Sequence, residues 1–301
     1  MQTVTFNCEV ITPMFLGGAD QQPELRPPSI RGAMRWWFRA MMGGIIGNNI
    51  PDLQKLEMLV FGSNDQSSAI TTKCKSYVVK KNKYARLPHK PKGSKAERNA
   101  IDINQQVTIE LKLNPWVHET KDEIFNIACE SLKLLLNFGG LGNRARRGFG
   151  SLYWSSGKDE KEILSDANKV FNDFISKMSI SKIGWSTIPT FPCIHQSYFN
   201  VFETNTDDGW ETKLITLMQE MSAFKVPTND GRNATGWAER GNRQGSPLIV
   251  HAKKTDDGKI KLLFSHFRTI LNSYLSVTDS DRDNLEKIIT ANFKATQLTV
   301  F

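Results

Sequence analysis

The sequence predicts an α+β protein of two ferredoxin-like (β-α-β-β-α-β) domains in tandem. Three observations predict it. Val4, Phe6, Cys8 and Val10 alternate with Thr5, Asn7 and Glu9, and Val107, Ile109, Leu111 and Leu113 alternate with Thr108, Glu110 and Lys112. That is the period of half-buried strands. Two stretches before residue 140 instead carry apolar residues at helical spacing. The order strand, helix, strand, strand, helix, strand then runs once up to Trp154 and again, more loosely, up to Val300.

The first strand is Thr3 to Ile11. After a turn-rich segment, Pro27-Pro28 stop any earlier helix and Ser29 is a good N-cap. A helix is expected from Ile30 to about Met42, ending at Gly43-Gly44. Lys73 to Lys80 reads as a strand. Residues 81–103, with Pro88, Pro91 and Gly93 and few apolar side chains, read as a long mobile loop. Thr120 can cap a helix whose apolar face is Ile124, Ile127, Ala128, Leu132, Leu135 and Phe138, ended by Gly139-Gly140. Ser151 to Trp154 closes the first unit, and Ser155 to Asp159 reads as a linker, giving domains 1–158 and 159–301. The second domain should hold a helix from Ile163 to Met178, a strand near Phe191 to Phe202 and a helix from Trp210 to Phe224. A hairpin of Pro247 to Lys253 and Ile260 to Phe264 follows. A helix at Leu285 to Phe293 and a strand at Gln297 to Val300 end it.

No stretch approaches the ~18 uninterrupted apolar residues of a membrane span. The N-terminus runs straight into strand-like sequence without a signal-peptide pattern. Cys8, Cys74, Cys129 and Cys193 lie far apart, with no C-x-x-C and no histidine at ligand spacing, which disfavours zinc and a disulfide scaffold. The expectation is a reduced cytoplasmic protein with no membrane partner and no cofactor.

Charge is unevenly distributed. The chain carries 39 Lys+Arg against 31 Asp+Glu, a net +8. Residues 71–100 hold ten of those cations and one Glu, so the rest of the chain sums to about −1. A local basic patch is the footprint expected for a polyanion partner, with Lys81, Lys83, Lys90 and Lys92 as its candidates. A solvated lysine-rich loop is the alternative.

Two motifs could carry chemistry. On the first helix Arg31, Arg35 and Arg39 are spaced i, i+4, i+8 and form one stripe, with Trp36 about 60° beyond Arg39. No carboxylate lies within that helix. Guanidinium forks suit phosphate oxygens and stack on bases. The second motif is the loop Gly139 to Gly150, which holds Gly140, Gly142, Arg144, Arg146 and Arg147. Its G-x-G-x-x-A (Gly140 to Ala145) leaves a helix and enters a strand, the reverse of a dinucleotide-binding loop, so NAD is rejected. A P-loop is absent. Glycines allow close backbone approach and the arginines bring charge, a combination suited to a phosphate backbone. The stripe and the loop are expected to converge on one groove. The histidines are scattered; His89, in the basic segment, is the one that could serve general acid–base work with a lysine.

The segment Thr12-Pro13-Met14-Phe15-Leu16-Gly17-Gly18-Ala19, with Glu24-Leu25-Arg26-Pro27-Pro28-Ser29-Ile30-Arg31-Gly32-Ala33-Met34-Arg35-Trp36-Trp37-Phe38-Arg39, resembles the N-terminus of the first-subunit family of the Cmr complex. That complex is the type III-B CRISPR effector of antiviral defence, whose subunits belong to the RAMP superfamily. The loop Gly139 to Gly150 is similar to the glycine-rich RAMP signature, and Ser246-Pro247-Leu248-Ile249 is similar to this family as well. The resemblance implies two ferredoxin-like domains, sister RAMP subunits as partners and contact with the 3′ part of the crRNA or its target RNA. It implies a subunit that does not cut. The RNA contacts it implies are Arg26, Arg31, Arg35, Trp36 and Arg39 with the arginines of the glycine loop. Residues 81–103 match no family motif. A metal-independent RAMP endoribonuclease and a purely structural assembly subunit are the competing expectations.

Overall fold

The computed structural model describes residues 2–18, 20, 22–76, 80–90, 97–206, 209–225, 235–239, 242–269 and 279–301. In chain order the elements are β1 (Thr3–Val10), α1 (Pro27–Ile46), α2 (Ile50–Phe61), β2 (Ile70–Ser76), β3 (Lys81–Ala85), β4 (Glu97–Ile101), β5 (Gln106–Leu113), α3 (Lys121–Phe138) and β6 (Leu152–Tyr153). There follow α4 (Glu160–Lys177), β7 (Phe199–Glu203), α5 (Trp210–Lys225), β8 (Trp237–Glu239), β9 (Asn242–Gln244), β10 (Leu248–Lys254), β11 (Ile260–Phe267), α6 (Asp279–Asn292) and β12 (Thr296–Leu298).

Two four-stranded antiparallel sheets form, in the orders β2-β5-β1-β6 and β10-β11-β7-β12. With the β3–β4 hairpin set aside as an insertion, each sheet places its second, third, first and fourth strands side by side. In β1 the alternation read from sequence is realised: Phe6, Cys8 and Val10 are buried, and Thr3, Thr5 and Asn7 face solvent. The second sheet is covered on both faces, so β10 and β11 are nearly continuous apolar runs. Phe199, Val201, Ile249 and Phe267 pack into the core that α1, α3 and α4 share with the first sheet. Phe202, Val250, Leu262 and Phe264 pack on the opposite side, with Leu214 and Leu217 of α5 and Leu285 and Ile289 of α6.

Several elements depart from the sequence reading. Helix α1 starts at Pro27, with Arg26 at the N-cap position, because proline at N1 or N2 lacks only an N–H that has no helical partner there. It also runs through Gly43-Gly44. These glycines allow close packing: a Cβ on Gly44 would overlap the Ile194 carbonyl and one on Gly43 the Phe191 ring. The stop is Gly47, at φ +76°. The segment after α4 wraps this end of α1 through Ile183 N to Ile46 O (3.1 Å), Trp185 Nε1 to Gly43 O (2.9 Å) and Ile194 N to Ala40 O (2.8 Å). Only Phe199–Glu203 of the strand expected near 191–202 is extended in a sheet.

Helix α2 was not anticipated. Asn49 caps it, accepting from Asp52 N, and Leu53, Leu56, Val60 and Phe61 are its buried face. The stretch 81–103 is not a simple loop, since β3 and β4 pair from Lys81↔Ile101 to Ala85↔Glu97. Helix α4, which follows the linker, docks Ile163, Leu164, Ala167, Phe171, Phe174 and Ile175 into the core around α1 and α3. No described helix is long and apolar enough to cross a membrane.

Candidate nucleic-acid interface

Helix α1 separates two grooves. On one flank Arg31, Arg35 and Arg39 line an open groove of about 720 Å³ with Glu57, Gly62 and the turn 63–68. Arg35 Nε lies 2.5 Å and Arg39 Nη1 2.8 Å from Glu57 Oε1, and the Glu57 side chain is only 8% exposed. The carboxylate absent from α1 is therefore supplied by α2. Since α2 was not legible in the sequence, neither was this pairing. Three guanidiniums against one carboxylate leave an excess of two positive charges, and Arg31 makes no ion pair among the described residues. Arg26 is half-buried at the start of the helix, where its carbonyl accepts from Ser29 N and Ile30 N.

On the other flank Ser29, Ala33 and Trp36 face the glycine loop across a pocket of about 210 Å³ that also takes in Gly140, Gly142 and Arg146. Trp36 packs edge-on against Trp37 (4.9 Å) and Phe267 (5.4 Å), and the Arg146 guanidinium carbon sits 5.4 Å from its ring centroid. The expected convergence thus holds for Trp36 and Arg146 and fails for the stripe. At 100° per residue the stripe and the Trp36 side flank an exposed ridge marked by Gly32, so they open into different grooves.

The glycine loop has a packing reason for its composition. Leu141 N donates to Gly150 O (3.0 Å), Asn143 N to Phe15 O (2.8 Å) and Gly150 N to Pro13 O (3.1 Å). Gly142 holds φ +90°, and a Cβ there would lie 2.5 Å from the Phe15 carbonyl oxygen. Glycine lets this loop lie against the 13–15 segment. Gly140 and Gly142 both line the small pocket.

The three loop arginines have different fates. Arg147 donates from Nη1 to Ser246 Oγ (2.9 Å) and from Nη2 to the Thr235 carbonyl (2.9 Å). Burial, then the neighbouring Arg144 and Arg146 charges, push its pKa down to about 10. The Arg147 guanidinium, expected from the sequence to contact RNA, is thus engaged within the chain, holding the segment around Ser246. Arg146 is half-buried and donates to Ser246 O (2.7 Å) while it covers Trp36; burial lowers its pKa. Arg144 is the most exposed of the three as a residue, although its guanidinium end is partly enclosed, and it holds a left-handed conformation at φ +66°. Burial of its guanidinium and the charge of Arg86 lower its pKa.

Of the basic segment, Lys81, Lys83 and Lys90 are exposed on or beyond β3, and Lys92 lies outside the described residues. The base of this hairpin is fixed to the glycine loop's own support: Met14 and Ile101 exchange two backbone hydrogen bonds (3.1 and 3.0 Å) beside Phe15. No local spacing in the chain signals this adjacency.

His251 was also missed as a part of the site. Its buried ring donates from Nδ1 to the Gly139 carbonyl (2.6 Å), tying the end of α3 to β10, and burial pushes its pKa down to about 4. The ring is therefore neutral and holds the Nδ1–H tautomer. The described residues hold no cluster of three or more His, Cys, Asp or Glu side chains able to bind a metal ion.

This fold and loop define a class. Residues 7–153 match the sequence model of the RAMP superfamily. The CRISPR system Cmr subunit Cmr1-2 of Pyrococcus furiosus is 33% identical over 177 residues, 50% of this chain and 95% of that protein. The Cmr subunit Cmr1-1 of the same organism is 33% identical over 142 residues, 44% of this chain and 41% of that protein. The chain belongs to the RAMP superfamily, within the Cmr1 family of Cmr subunits. The apo crystal structure of Pyrococcus furiosus Cmr1 shares the fold at TM-score 0.69 and 18% identity, covering 99% of this chain and 98% of that one. A chain of the type III-B Cmr-beta complex bound to cognate target RNA and AMPPnP, in the presence of ssDNA, shares it at TM-score 0.62 and 12% identity, covering 94% of this chain and 98% of that one.

Proposed function

We propose that this chain is a non-catalytic RNA-binding subunit of a type III-B effector, holding the 3′ part of the crRNA or the target RNA paired to it and docking on sister RAMP subunits. The observation that carries the reading is the excess of cations over carboxylates at each of three places, the α1 groove, the glycine loop and the β3–β4 hairpin. Its fold neighbour in Cmr-beta belongs to a complex bound to target RNA. We further read the chain as two ferredoxin-like domains, 1–158 and 159–301, with α4 reaching back across the boundary onto α1 and α3.

Arg31 is the cleanest test, because its removal orphans no carboxylate. For a single-stranded RNA each lost phosphate contact lowers the salt slope of log affinity by about 0.7. Arg31→Ala is expected to weaken binding and flatten the slope by that amount, with unfolding stability within about 0.5 kcal/mol of the parent. Unchanged affinity and slope would remove the stripe from the interface. Labelled RNA incubated with the protein in EDTA should stay intact. Discrete cleavage abolished by His89→Ala would overturn the non-catalytic reading.

A further inference from the structure

We infer that Arg86, His89 and Lys90 at the end of β3, with Arg144 from the glycine loop, form a clamp for a single phosphodiester group of the bound RNA strand. The inference rests on the RNA-binding reading above and adds to it a defined contact point, made by two segments more than fifty residues apart in the chain.

The geometry begins with the Met14–Phe15 segment. One side of it pairs with Ile101 at the base of the β3–β4 hairpin, and the other side pairs with Asn143 of the glycine loop. Two basic segments are thereby held against one strip of backbone. The side chains they bring together are all cationic or ring nitrogens. Lys90 and Arg144 both bear on His89, and Arg86 bears on Arg144. Each of these influences lowers the pKa of its target, after burial, which is the largest cause. No described carboxylate raises the pKa of His89 or Arg144.

The hydrogen-bonding inventory agrees. Arg86 Nε and His89 Nδ1 are buried and have no hydrogen-bond partner among the described residues. Buried donors are ordinarily satisfied, and like charges are ordinarily kept apart or interleaved with carboxylates. The contrast with Arg35 and Arg39 is internal to this protein, since those two guanidiniums are provided with Glu57. A phosphate group meets both deficits at once: it supplies the missing negative charge and accepts from several donors. Arg144 is also one of few non-glycine residues held at positive φ, a conformation that persists only where its surroundings impose it.

A clamp makes a prediction that scattered contacts do not. The salt slope counts phosphates neutralised, not cations supplied. Two arginines on one phosphate therefore contribute one decrement. Binding of a fluorescein-labelled single-stranded RNA of mixed sequence would be titrated against salt for the parent, Arg86→Gln, Arg144→Gln and the double variant. The double variant is expected to lower the slope by about 0.7, and neither single variant by more than that. A decrement near 1.4 in the double variant would mean two separate phosphates and overturn the clamp. If the double variant left the slope unchanged while Arg31→Ala flattened it, the clamp would fail and RNA binding would stand. A parent protein without RNA affinity would remove both readings. Circular dichroism of each variant separates misfolding from lost contact, and Arg144→Lys should restore most of the slope, because the charge on the phosphate is what the slope reads.

Discussion

Replacing Arg147 by methionine is expected to destabilise the protein by about 3 kcal/mol while leaving the salt dependence of RNA binding unchanged. The guanidinium donates to Ser246 Oγ and the Thr235 carbonyl, with longer bonds to the carbonyls of Arg146 and Leu248. A hydrogen bond from a charged donor contributes roughly 1.5–3 kcal/mol, and acceptors left without partners add a desolvation cost. Methionine keeps most of the stem's volume, so the loss comes from the donors rather than from a cavity. In urea the unfolding midpoint should fall with no change in slope against denaturant. Retained stability with a flattened salt slope would instead make Arg147 a direct phosphate contact.

The second large effect concerns acid. His251 is fully enclosed, and its folded pKa of about 4 lies below the ordinary 6.5. Burial is the main cause, opposed by the bond to the Gly139 carbonyl and reinforced by Lys253. The unfolded chain therefore takes up a proton near pH 6.5 that the folded chain refuses until about pH 4. The contribution of this ring to stability is complete above pH 6.5 and is lost as the pH falls towards 4, a total of ~3 kcal/mol at the limit. His251→Gln retains an N–H for the Gly139 carbonyl and removes the titration. Its stability between pH 6.5 and 4 should fall less steeply than the parent's. Identical pH slopes would show that His251 is not the group responsible.

Much of the first sheet was legible because its strands are wetted on one face, so burial writes itself into alternation at Val4, Phe6, Cys8 and Val10. The second sheet was harder to read for the converse reason. Covered on both faces, β10 and β11 show little alternation, with His251 and Ser265 buried beside their apolar neighbours, so the hairpin is readable but not which face meets which core. Helix α2 went unread: its first turn holds Pro51 and its apolar residues, Leu53, Leu56, Val60 and Phe61, fill a short span after an irregular stretch. With it went Glu57, and so the neutralisation of Arg35 and Arg39. The glycine loop was recognised from composition, but not the reason for its glycines, which lies in the Phe15 carbonyl more than a hundred residues earlier. Arg144, Arg146 and Arg147 look equivalent in sequence. Only tertiary contacts separate the exposed one from the two that hold Ser246, and no local spacing records such contacts.

The central claim is that RNA lies along the face formed by α1, the glycine loop and the β3–β4 hairpin. Ultraviolet crosslinking of the assembled protein to single-stranded RNA, followed by peptide mass spectrometry, tests it most directly. The account predicts crosslinked peptides that contain Trp36 and the segments 81–90 and 139–147. Crosslinks confined to the β10–β11 hairpin or to α6, with none on those segments, would contradict it.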